Sequence, residues 1–263
     1  MGFDVKALQS RLAGRLIDWR LHFLDTVDST NLVALDLARK GAPEGTIVIA
    51  DCQTAGKGRL HRAWQSPPGC NLYASLLIRP KIDPADAPQL TLMAGVAVAE
   101  TLSALCPEGV GLKWPNDVRI RGRKVCGILT ELRMAGGAVA AVVVGIGVNV
   151  NMPRADFDPA YRETATSLRE ETGQEQSREE VAFRLCESFE KWYETFRCEG
   201  FAPVREDWLA RSEMPGRRVR VLFRDEVQEG RVIGIDHDGA LLIVDDLGAT
   251  RRVTAGDADI MKG

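Results

Sequence analysis

The sequence lacks the residue patterns of several common protein classes. Its six cysteines include no CxxC pair and its three histidines lie far apart, which argues against a zinc site and a disulfide framework. No run of about 18 apolar residues is present, so no membrane-spanning helix is predicted. The formal net charge is -3, whereas a dedicated nucleic-acid binder carries a basic excess. We therefore expect a reduced, untargeted, cytoplasmic protein that binds neither DNA nor a membrane.

Two familiar phosphate-binding motifs are also absent from the Gly-rich basic stretch over 53–64, QTAGKGRLHRAW. A P-loop needs a glycine where Cys52 stands and a hydroxyl residue after its lysine, but Gly58 follows Lys57. A dinucleotide fingerprint needs a glycine where His61 stands. Taken alone, the stretch is either a solvated basic loop or a loop for a phosphorylated or carboxylated ligand, since glycines allow close approach and cations neutralise anions.

Hydrophobic periodicity predicts a chain in which strands and helices are mixed. Apolar residues at helical spacing predict helices over 30–40, 88–106, 181–196 and 203–210. Strand-forming residues predict strands over 46–50, 71–78, 111–118, 123–132 and 138–150. From residue 214 onward the pattern changes to short alternating strands separated by turns, as in a small SH3-like barrel. The predicted fold class is α+β, with a mixed β-sheet flanked by helices over 1–213 and a C-terminal SH3-like barrel over 214–263.

Five sequence blocks in one order resemble the biotin protein ligases, also called biotin-[acetyl-CoA-carboxylase] ligases. The blocks are DSTN at 28–31, the Gly-Lys-Gly-Arg run ending at Trp64, KWPND at 113–117, KVCGIL at 124–129 and GIGVN at 145–149. The resemblance covers roughly residues 20 to 263 and includes the C-terminal barrel. It implies a catalytic domain similar to class II aminoacyl-tRNA synthetases.

The resemblance also implies a two-step reaction. Biotin and ATP form biotinyl-5′-AMP and pyrophosphate, and a lysine of a biotin carboxyl carrier protein domain then attacks the mixed anhydride. ATP and Mg²⁺ are the implied cofactors and biotin is a substrate. Joining the biotin carboxylate to a phosphate brings two anions together, and cations at the meeting point lower that barrier.

The roles that the resemblance implies fall on residues of the matching blocks. The expected catalytic residues are Lys124, Arg59 and Asp117. The expected biotin-binding residues are Ser29, Thr30, Asn31, Gln53, Gly56, Lys57, Gly58, Arg59, Lys124 and Gly127. The expected ATP-binding residues are Arg59, Arg62, Trp64, Asn116, Asp117 and Asn149. No metal ligand is assigned, although Asn116 and Asp117 are the nearest candidates for ordering Mg²⁺.

Several of these residues also have ordinary structural interpretations. Ser29 and Thr30 are good helix N-cap residues, and Asp117 is a common turn residue. A core position is favoured for Trp114 and a ligand role for Trp64. Lys124 is harder to explain as a structural residue because apolar residues flank it.

The sequence departs from the family pattern in three places. The family usually has arginine where Lys57 stands, and lysine lacks the planar fork of arginine. It often has glycine where His61 stands, so a position that tolerates a positive φ is replaced and the loop is expected to close differently. The C-terminal segment over 256–261 lacks the arginine common near the family's end.

Regulation and partners follow as further expectations. Only 28 residues precede Ser29, which predicts a ligase without the N-terminal DNA-binding domain and without repressor activity. The Val-rich strand from Ala138 is expected to offer a pairing edge for a homodimer. Two other functions stay open at this point: a lipoate ligase or octanoyl transferase of related fold, and a non-catalytic ligand-binding module.

Overall fold

The computed structural model describes residues 2–223 and 226–261, and their strands form two separate sheets. The larger sheet contains β1 (Arg20–Val27), β2 (Thr46–Gln53), β3 (Leu72–Ile78), β4 (Val110–Lys113), β5 (Asp117–Ile120), β6 (Arg123–Ala135) and β7 (Ala138–Val148). The smaller sheet contains β8 (Arg218–Phe223), β9 (Glu226–Ile235), β10 (Leu241–Val244), β11 (Thr250–Val253) and β12 (Asp257–Ile260). The helices are α1 (Val5–Leu12), α2 (Thr30–Arg39), α3 (Ala87–Leu105), α4 (Leu168–Thr172), α5 (Arg178–Glu199) and α6 (Phe201–Arg211).

The larger sheet is mixed, with the strand order β1-β2-β3-β7-β6-β5-β4. β1 pairs with β2 in parallel and the other neighbours pair antiparallel. The predicted mixed sheet flanked by helices is therefore confirmed, whereas α1, β1 and α4 were not predicted. Among the helices over 2–223 and 226–261, none has the length and apolarity needed to cross a bilayer.

The position of β7 contradicts the expectation that it offers a pairing edge. β7 lies between β3 and β6, so its backbone groups are engaged on both sides along most of its length. Its Val-rich sequence has a different cause, since both faces of the strand are covered by other parts of the chain.

Two hydrophobic layers cover the two faces of this sheet, as the alternation of side chains along each strand requires. On one face, Val142 and Val144 of β7 join the main core around the apolar helix α3. On the other face, Ala141 and Val143 join a smaller cluster with Ala34 of α2.

The alternation continues along β7 beyond the end of α2. Gly145 and Gly147 follow Val143 at the same parity, so they lie on the face that α2 covers farther along the strand. Gly147 pairs with Gly127 of β6, so the sheet surface has no side chains at this point. A recess is therefore left beside the N-terminus of α2.

The smaller sheet is antiparallel, with the order β11-β10-β9-β8-β12. Its two outer strands, β11 and β12, do not pair with each other in the described part of the chain, so the predicted SH3-like unit is an open sheet by strand pairing. It packs on the part of the chain that contains the larger sheet through Trp114, which is 3% exposed and whose Nε1 donates to Gly239 O at 3.0 Å. The core position favoured for Trp114 is confirmed. The predicted domain boundary at residue 214 falls between α6 and β8 and stays a prediction.

Candidate active site

A cavity of about 250 Å³ opens at the recess beside the N-terminus of α2. Its lining includes every residue with a predicted role except Gly56. The residues with predicted roles come from α2, the end of β2 with the loop after it, the β4–β5 turn with β6, and the end of β7, and β3 and the connection between β7 and α4 line the cavity as well. β12 of the smaller sheet adds Asp257 and Asp259. Tertiary structure thus brings together blocks that are far apart along the chain.

One end of the cavity is a neutral, hydrogen-bonding pocket. Gln53 Oε1 accepts from the backbone N–H of Thr30 at 2.9 Å and from its hydroxyl at 3.1 Å. Ser29 is the N-cap residue of α2 by position, but its side chain makes no capping hydrogen bond. The capping interpretation of Ser29 therefore explains its place in the chain and leaves its hydroxyl for the cavity.

Asn31 lies at the same end, but its side chain also holds the elements together. Its Nδ2 donates to Leu129 O at 3.1 Å and to Glu131 Oε2 at 2.7 Å. Its Oδ1 accepts from the Ser75 hydroxyl at 2.6 Å. A Cβ at Gly145 would collide with the Asn31 amide, with Cγ only 2.8 Å away. The glycine of β7 therefore makes room for an amide that ties α2 to β6 and β3.

The Gly-rich loop folds into a short hairpin. A β-bridge joins Lys57 to Ala63, and Gly58 N–H donates to Arg62 O at 2.7 Å. At its tip, Leu60 and His61 have φ of 52° and 59°. His61 thus adopts the left-handed conformation that a glycine would favour, so the substitution has not prevented the turn; a non-glycine residue there carries strain of about 1 kcal/mol.

Gly56 does not line the cavity, contrary to its predicted biotin contact. It is buried, and its carbonyl accepts from Trp64 N–H at 2.9 Å. A Cβ at this position would lie 2.6 Å from Ser66 Oγ and 2.6 Å from Trp64 O. The close approach of the returning chain thus requires a glycine at this position.

The Trp64 indole lies on the bare part of the sheet. A Cβ at Gly147 would be 2.5 Å from its Nε1, and a Cβ at Gly127 would be 3.0 Å from its Cζ3. Trp64 Nε1 is buried without a hydrogen-bond partner in the described structure. Lys124 Nζ lies 5.4 Å from the ring centroid, close enough for a cation–π contact. The two paired glycines are what allow this aromatic side chain to form part of the cavity floor.

The other end of the cavity is cationic. Arg59 Nη1 lies 3.0 Å from Asp257 Oδ1, and Arg62 Nη2 lies 2.8 Å from Asp257 Oδ2. Burial lowers the pKa of Arg59 below its ordinary value, and the nearby carboxylates of Asp257 and Asp117 oppose that shift. β12 of the smaller sheet therefore supplies the carboxylate that holds two loop arginines in place.

Lys124 and Asp117 form an ion pair across β5 and β6, with Nζ 2.5 Å from Oδ1. The side chains of Asp117 and Lys124 are 17% and 34% exposed, respectively. The adjacent Asn116 fixes the β4–β5 turn, because its Nδ2 donates to Ile128 O at 2.8 Å. A lysine is thus held at the cavity wall by a carboxylate on the neighbouring strand.

Similarity to known proteins agrees with this geometry. The Biotin/lipoate A/B protein ligase family matches residues 23–149, and the Biotin protein ligase C terminal domain matches residues 216–261. A biotin–[acetyl-CoA-carboxylase] ligase of Mycobacterium tuberculosis is 36% identical over 264 residues, covering 97% of this chain and 94% of that protein. The chain belongs to the biotin protein ligase family.

Two further similarities support this assignment to the biotin protein ligases. The bifunctional ligase/repressor BirA of Bacillus subtilis is 37% identical over 240 residues, which covers 91% of this chain and 74% of that protein. A solved structure of the biotin protein ligase from Aquifex aeolicus in complex with biotin and ATP has a TM-score of 0.79 at 30% identity, covering 93% of this chain and 99% of that one. The predicted family, fold class and ligase class are confirmed.

Asn149 directly follows the last residue of β7, so it lies at the strand end where the sequence predicted it. It is 5% exposed, and its Nδ2 donates to Thr166 O at 3.0 Å. Asn149 lines the cavity, and this contact leaves its amide oxygen available as an acceptor.

Sequence reasoning missed several cavity residues, among them Tyr73 and Ala74 of β3 and two further sets. One set is the acidic pair of β12, Asp257 and Asp259. The other lies in the segment between β7 and α4 and contains Met152, Phe157, Tyr161, Thr164 and Ala165. The connection contains only one short 3-10 helix, Arg154–Asp156. Long connections with little secondary structure are often functional, and this length was the available signal for the second set.

The oxygen donors in the cavity have the chemistry that magnesium requires. Mg²⁺ in nucleotide sites is held by one or two protein oxygens together with phosphates and water. Asn116 and Asp117 supply an amide oxygen and a carboxylate at the cavity wall. The one cluster of potential metal ligands found in 2–223 and 226–261 is Asp236, His237 and Asp238, on the β9–β10 turn outside this cavity.

Proposed function

We propose that this chain ligates biotin to a lysine of a biotin carboxyl carrier protein domain through biotinyl-5′-AMP, with ATP as the second substrate. The observation that carries the proposal is a single cavity with a neutral hydrogen-bonding end and a cationic end. The names of the relatives, which include biotin–[acetyl-CoA-carboxylase] ligases, support this choice over lipoate. The match to a biotin protein ligase C-terminal domain supports it as well.

Biotin fits the cavity in one orientation because its two ends differ in polarity. The neutral ureido ring needs donors and acceptors, which Ser29, Thr30 and Gln53 provide. The apolar tail then extends along the cavity, past the Trp64 indole that covers the sheet at Gly127, and the carboxylate reaches the cations. The opposite orientation would place the carboxylate at the end without a cation and leave its charge uncompensated.

In the first step, a biotin carboxylate oxygen attacks the α-phosphorus of ATP. A new carboxyl–phosphate bond forms, the bond between the α-phosphorus and the bridging oxygen to the β-phosphate breaks, and pyrophosphate leaves. Negative charge accumulates where the two anions meet. Arg59 and Lys124 stabilise that charge, and Arg62 stabilises the departing pyrophosphate. Arg59 and Arg62 exchange the Asp257 carboxylate for phosphate oxygens as the nucleotide enters.

In the second step, the neutral amine of the carrier lysine attacks the carbonyl carbon of the anhydride. An amide bond forms, the bond to the AMP oxygen breaks, and the amine proton must be removed. Asp117, a carboxylate in the cavity wall, acts as the base once its pair with Lys124 opens. Closure of the 56–64 hairpin excludes the water that would hydrolyse the anhydride.

The nucleotide base is held by different residues. Trp64 provides an aromatic surface for adenine, and the Asn149 oxygen accepts from the adenine amino group. When Mg²⁺ accompanies the phosphates, Asn116 and Asp117 are the residues that would hold it, and it supplies charge neutralisation.

We propose that this ligase does not act as a sequence-specific repressor. The residues ahead of β1 include α1, whose Leu8 and Leu12 are buried in the main core, so this helix belongs to the catalytic part. Specific retardation of operator-like DNA in a mobility-shift assay would reject the proposed absence of repressor activity.

The cysteines of the chain are free, which supports a reducing, cytoplasmic setting.

The proposed reaction is tested by mixing the protein with ATP, labelled biotin and a biotin carrier domain. Label on the carrier, dependent on ATP, supports the ligase. The same assay with labelled lipoate and a lipoyl carrier identifies a lipoate ligase if lipoate alone is transferred. Tight biotin binding without adenylate identifies a non-catalytic binding module.

A further inference from the structure

Ser66 is a buried polar residue that no step above uses. It follows the Gly-rich hairpin and is 7% exposed. Its hydroxyl donates to Trp64 O at 2.9 Å. A serine hydroxyl has one proton and two lone pairs, so with this proton committed it acts as an acceptor toward its other neighbours.

That other neighbour is the Gln53 amide. Gln53 Nε2 donates to Ser66 Oγ at 2.9 Å, while Oε1 accepts from Thr30 at the opposite side of the amide group. The backbone pairs as well, since Gln53 N–H donates to Ser66 O at 3.2 Å. Both ends of the carboxamide are therefore fixed, and one Nε2 hydrogen remains for a ligand.

The backbone around Ser66 leaves space for this contact. Gly56 approaches so closely that a Cβ there would lie 2.6 Å from Ser66 Oγ and 3.1 Å from Gln53 Nε2. The φ of Gly56 is not positive, so its glycine is required for space and not for an unusual turn. The hairpin thus begins at a residue without a side chain, at the point where the hydroxyl meets the amide.

We propose that Ser66 is a positioning residue for biotin, which holds the Gln53 carboxamide in the orientation that binds the ureido ring. The inference rests on the proposed function. Without the hydroxyl, Gln53 Nε2 has no fixed partner and the carboxamide is held only through Oε1 by Thr30, so the free enzyme loses part of its preorganisation toward the ring. The effect is confined to ligands that carry the ureido group.

The test measures biotin and desthiobiotin dissociation constants by titration calorimetry, together with the ATP KM and the kcat of adenylate formation. Desthiobiotin retains the ureido ring. We expect Ser66→Ala to raise both dissociation constants by roughly tenfold, the effect of one lost hydrogen bond, while ATP KM and kcat change less than about threefold. Ser66→Cys, which fills the same space but is a weak acceptor, should do the same. Ser66→Thr should restore binding to within about threefold of the parent.

A double-mutant cycle separates this role from a general structural one. In a Gln53→Ala background, Ser66→Ala should add less than about twofold to the biotin dissociation constant. Ser177→Ala is the matched control, because Ser177 is exposed and lies outside the cavity. The substitution removes a helix-capping hydrogen bond at α5, where Ser177 Oγ accepts from Glu180 N–H. It should leave biotin affinity unchanged.

Three outcomes overturn the inference. The first is an unchanged biotin affinity in Ser66→Ala. The second is a rise in ATP KM and a fall in kcat as large as the loss of biotin affinity. The third is a full tenfold loss of biotin affinity when Ser66→Ala is introduced into the Gln53→Ala background. If the parent protein binds biotin and forms adenylate, these outcomes reject only the role of Ser66. If the parent protein does not bind biotin, the proposed function fails and this inference fails with it.

Discussion

Removing the Lys124 ammonium should damage adenylate formation far more than biotin binding. In the ground state the biotin carboxylate can still contact Arg59, whereas the transition state concentrates charge between carboxylate and phosphate. Lys124→Ala also leaves the carboxylate of Asp117, its ion-pair partner at 2.5 Å, without compensation. The substitution therefore removes a positive charge and exposes a negative one at the same place.

The structure allows these two contributions to be separated. Loss of one preorganised donor costs about 10²- to 10³-fold in the rate of the chemical step. A unit charge about 5 Å from the reacting phosphate contributes about 3 kcal/mol at an effective dielectric of about 20, and water in the half-open cavity reduces this value. We therefore expect Lys124→Ala to lose about 10³-fold in adenylation, and Lys124→Ala/Asp117→Asn to recover about tenfold of that loss.

The assay is single-turnover formation of biotinyl-AMP from labelled ATP, with biotin affinity measured separately by calorimetry. Lys40→Ala is the matched control, because it removes a surface lysine whose Nζ lies 2.7 Å from Asp36 on α2, and it should change neither quantity. The biotin dissociation constant of Lys124→Ala should rise less than about tenfold. Equal losses in binding and adenylation, or no recovery in the double variant, would refute the reasoning.

Three other substitutions or reactions probe the cavity and its surroundings. Asp257→Asn should free the loop arginines, lower the free energy of unfolding by about 1 kcal/mol and speed tryptic cleavage after Arg59 about fivefold. Gly147→Ala should displace the Trp64 indole, since the new Cβ would lie 2.5 Å from Nε1; we expect altered tryptophan emission and about tenfold slower adenylation. Burial raises the pKa of Cys70 to about 11, so its thiolate forms as pH approaches that value, and alkylation at pH 8 should be about 100-fold slower than for a thiol of pKa 9.

Each of these has its own control or contrary result. Gly95→Ala, where a Cβ would meet its nearest heavy atom at 3.6 Å, should leave emission and adenylation unchanged. Asp36→Asn breaks an exposed ion pair on α2 and should not alter cleavage after Arg59. Unchanged proteolysis of Asp257→Asn would show that the smaller sheet does not restrain the hairpin. Alkylation of Cys70 in the folded protein is followed by mass spectrometry. Rapid alkylation at pH 8 would show that the thiol is not shielded.

Most elements were predictable because their signals are local. α3 is uniformly apolar over its length, and β7 combines valines with alternating glycines. α1 was missed because it is only eight residues long, and its Leu8 and Leu12 gain their stability from packing into the core. β1 was missed because it is an edge strand with a half-exposed burial pattern.

Parts of the site could not be predicted because the contacts join distant residues. Asp257 reaches Arg59 across 198 positions of sequence, and its partner depends on how the two sheets pack. Gly56 belongs to the Gly-rich motif, but the structure shows that it leaves space for Ser66 and Trp64, which follow it in the chain and pack against it. The expected edge at β7 was wrong for the same reason, since strand order is a long-range property.

The sequence by itself determined the family, the α+β class and a set of site residues of which all but Gly56 line one cavity, because motif spacing and hydrophobic periodicity are written along the chain. Tertiary structure alone decided which charge faces which. It placed Asp257 between Arg59 and Arg62, paired Lys124 with Asp117, and laid Trp64 on the Gly127–Gly147 surface. Electrostatic and packing energies depend on separations of a few ångströms in space, and separation along the chain does not fix those distances.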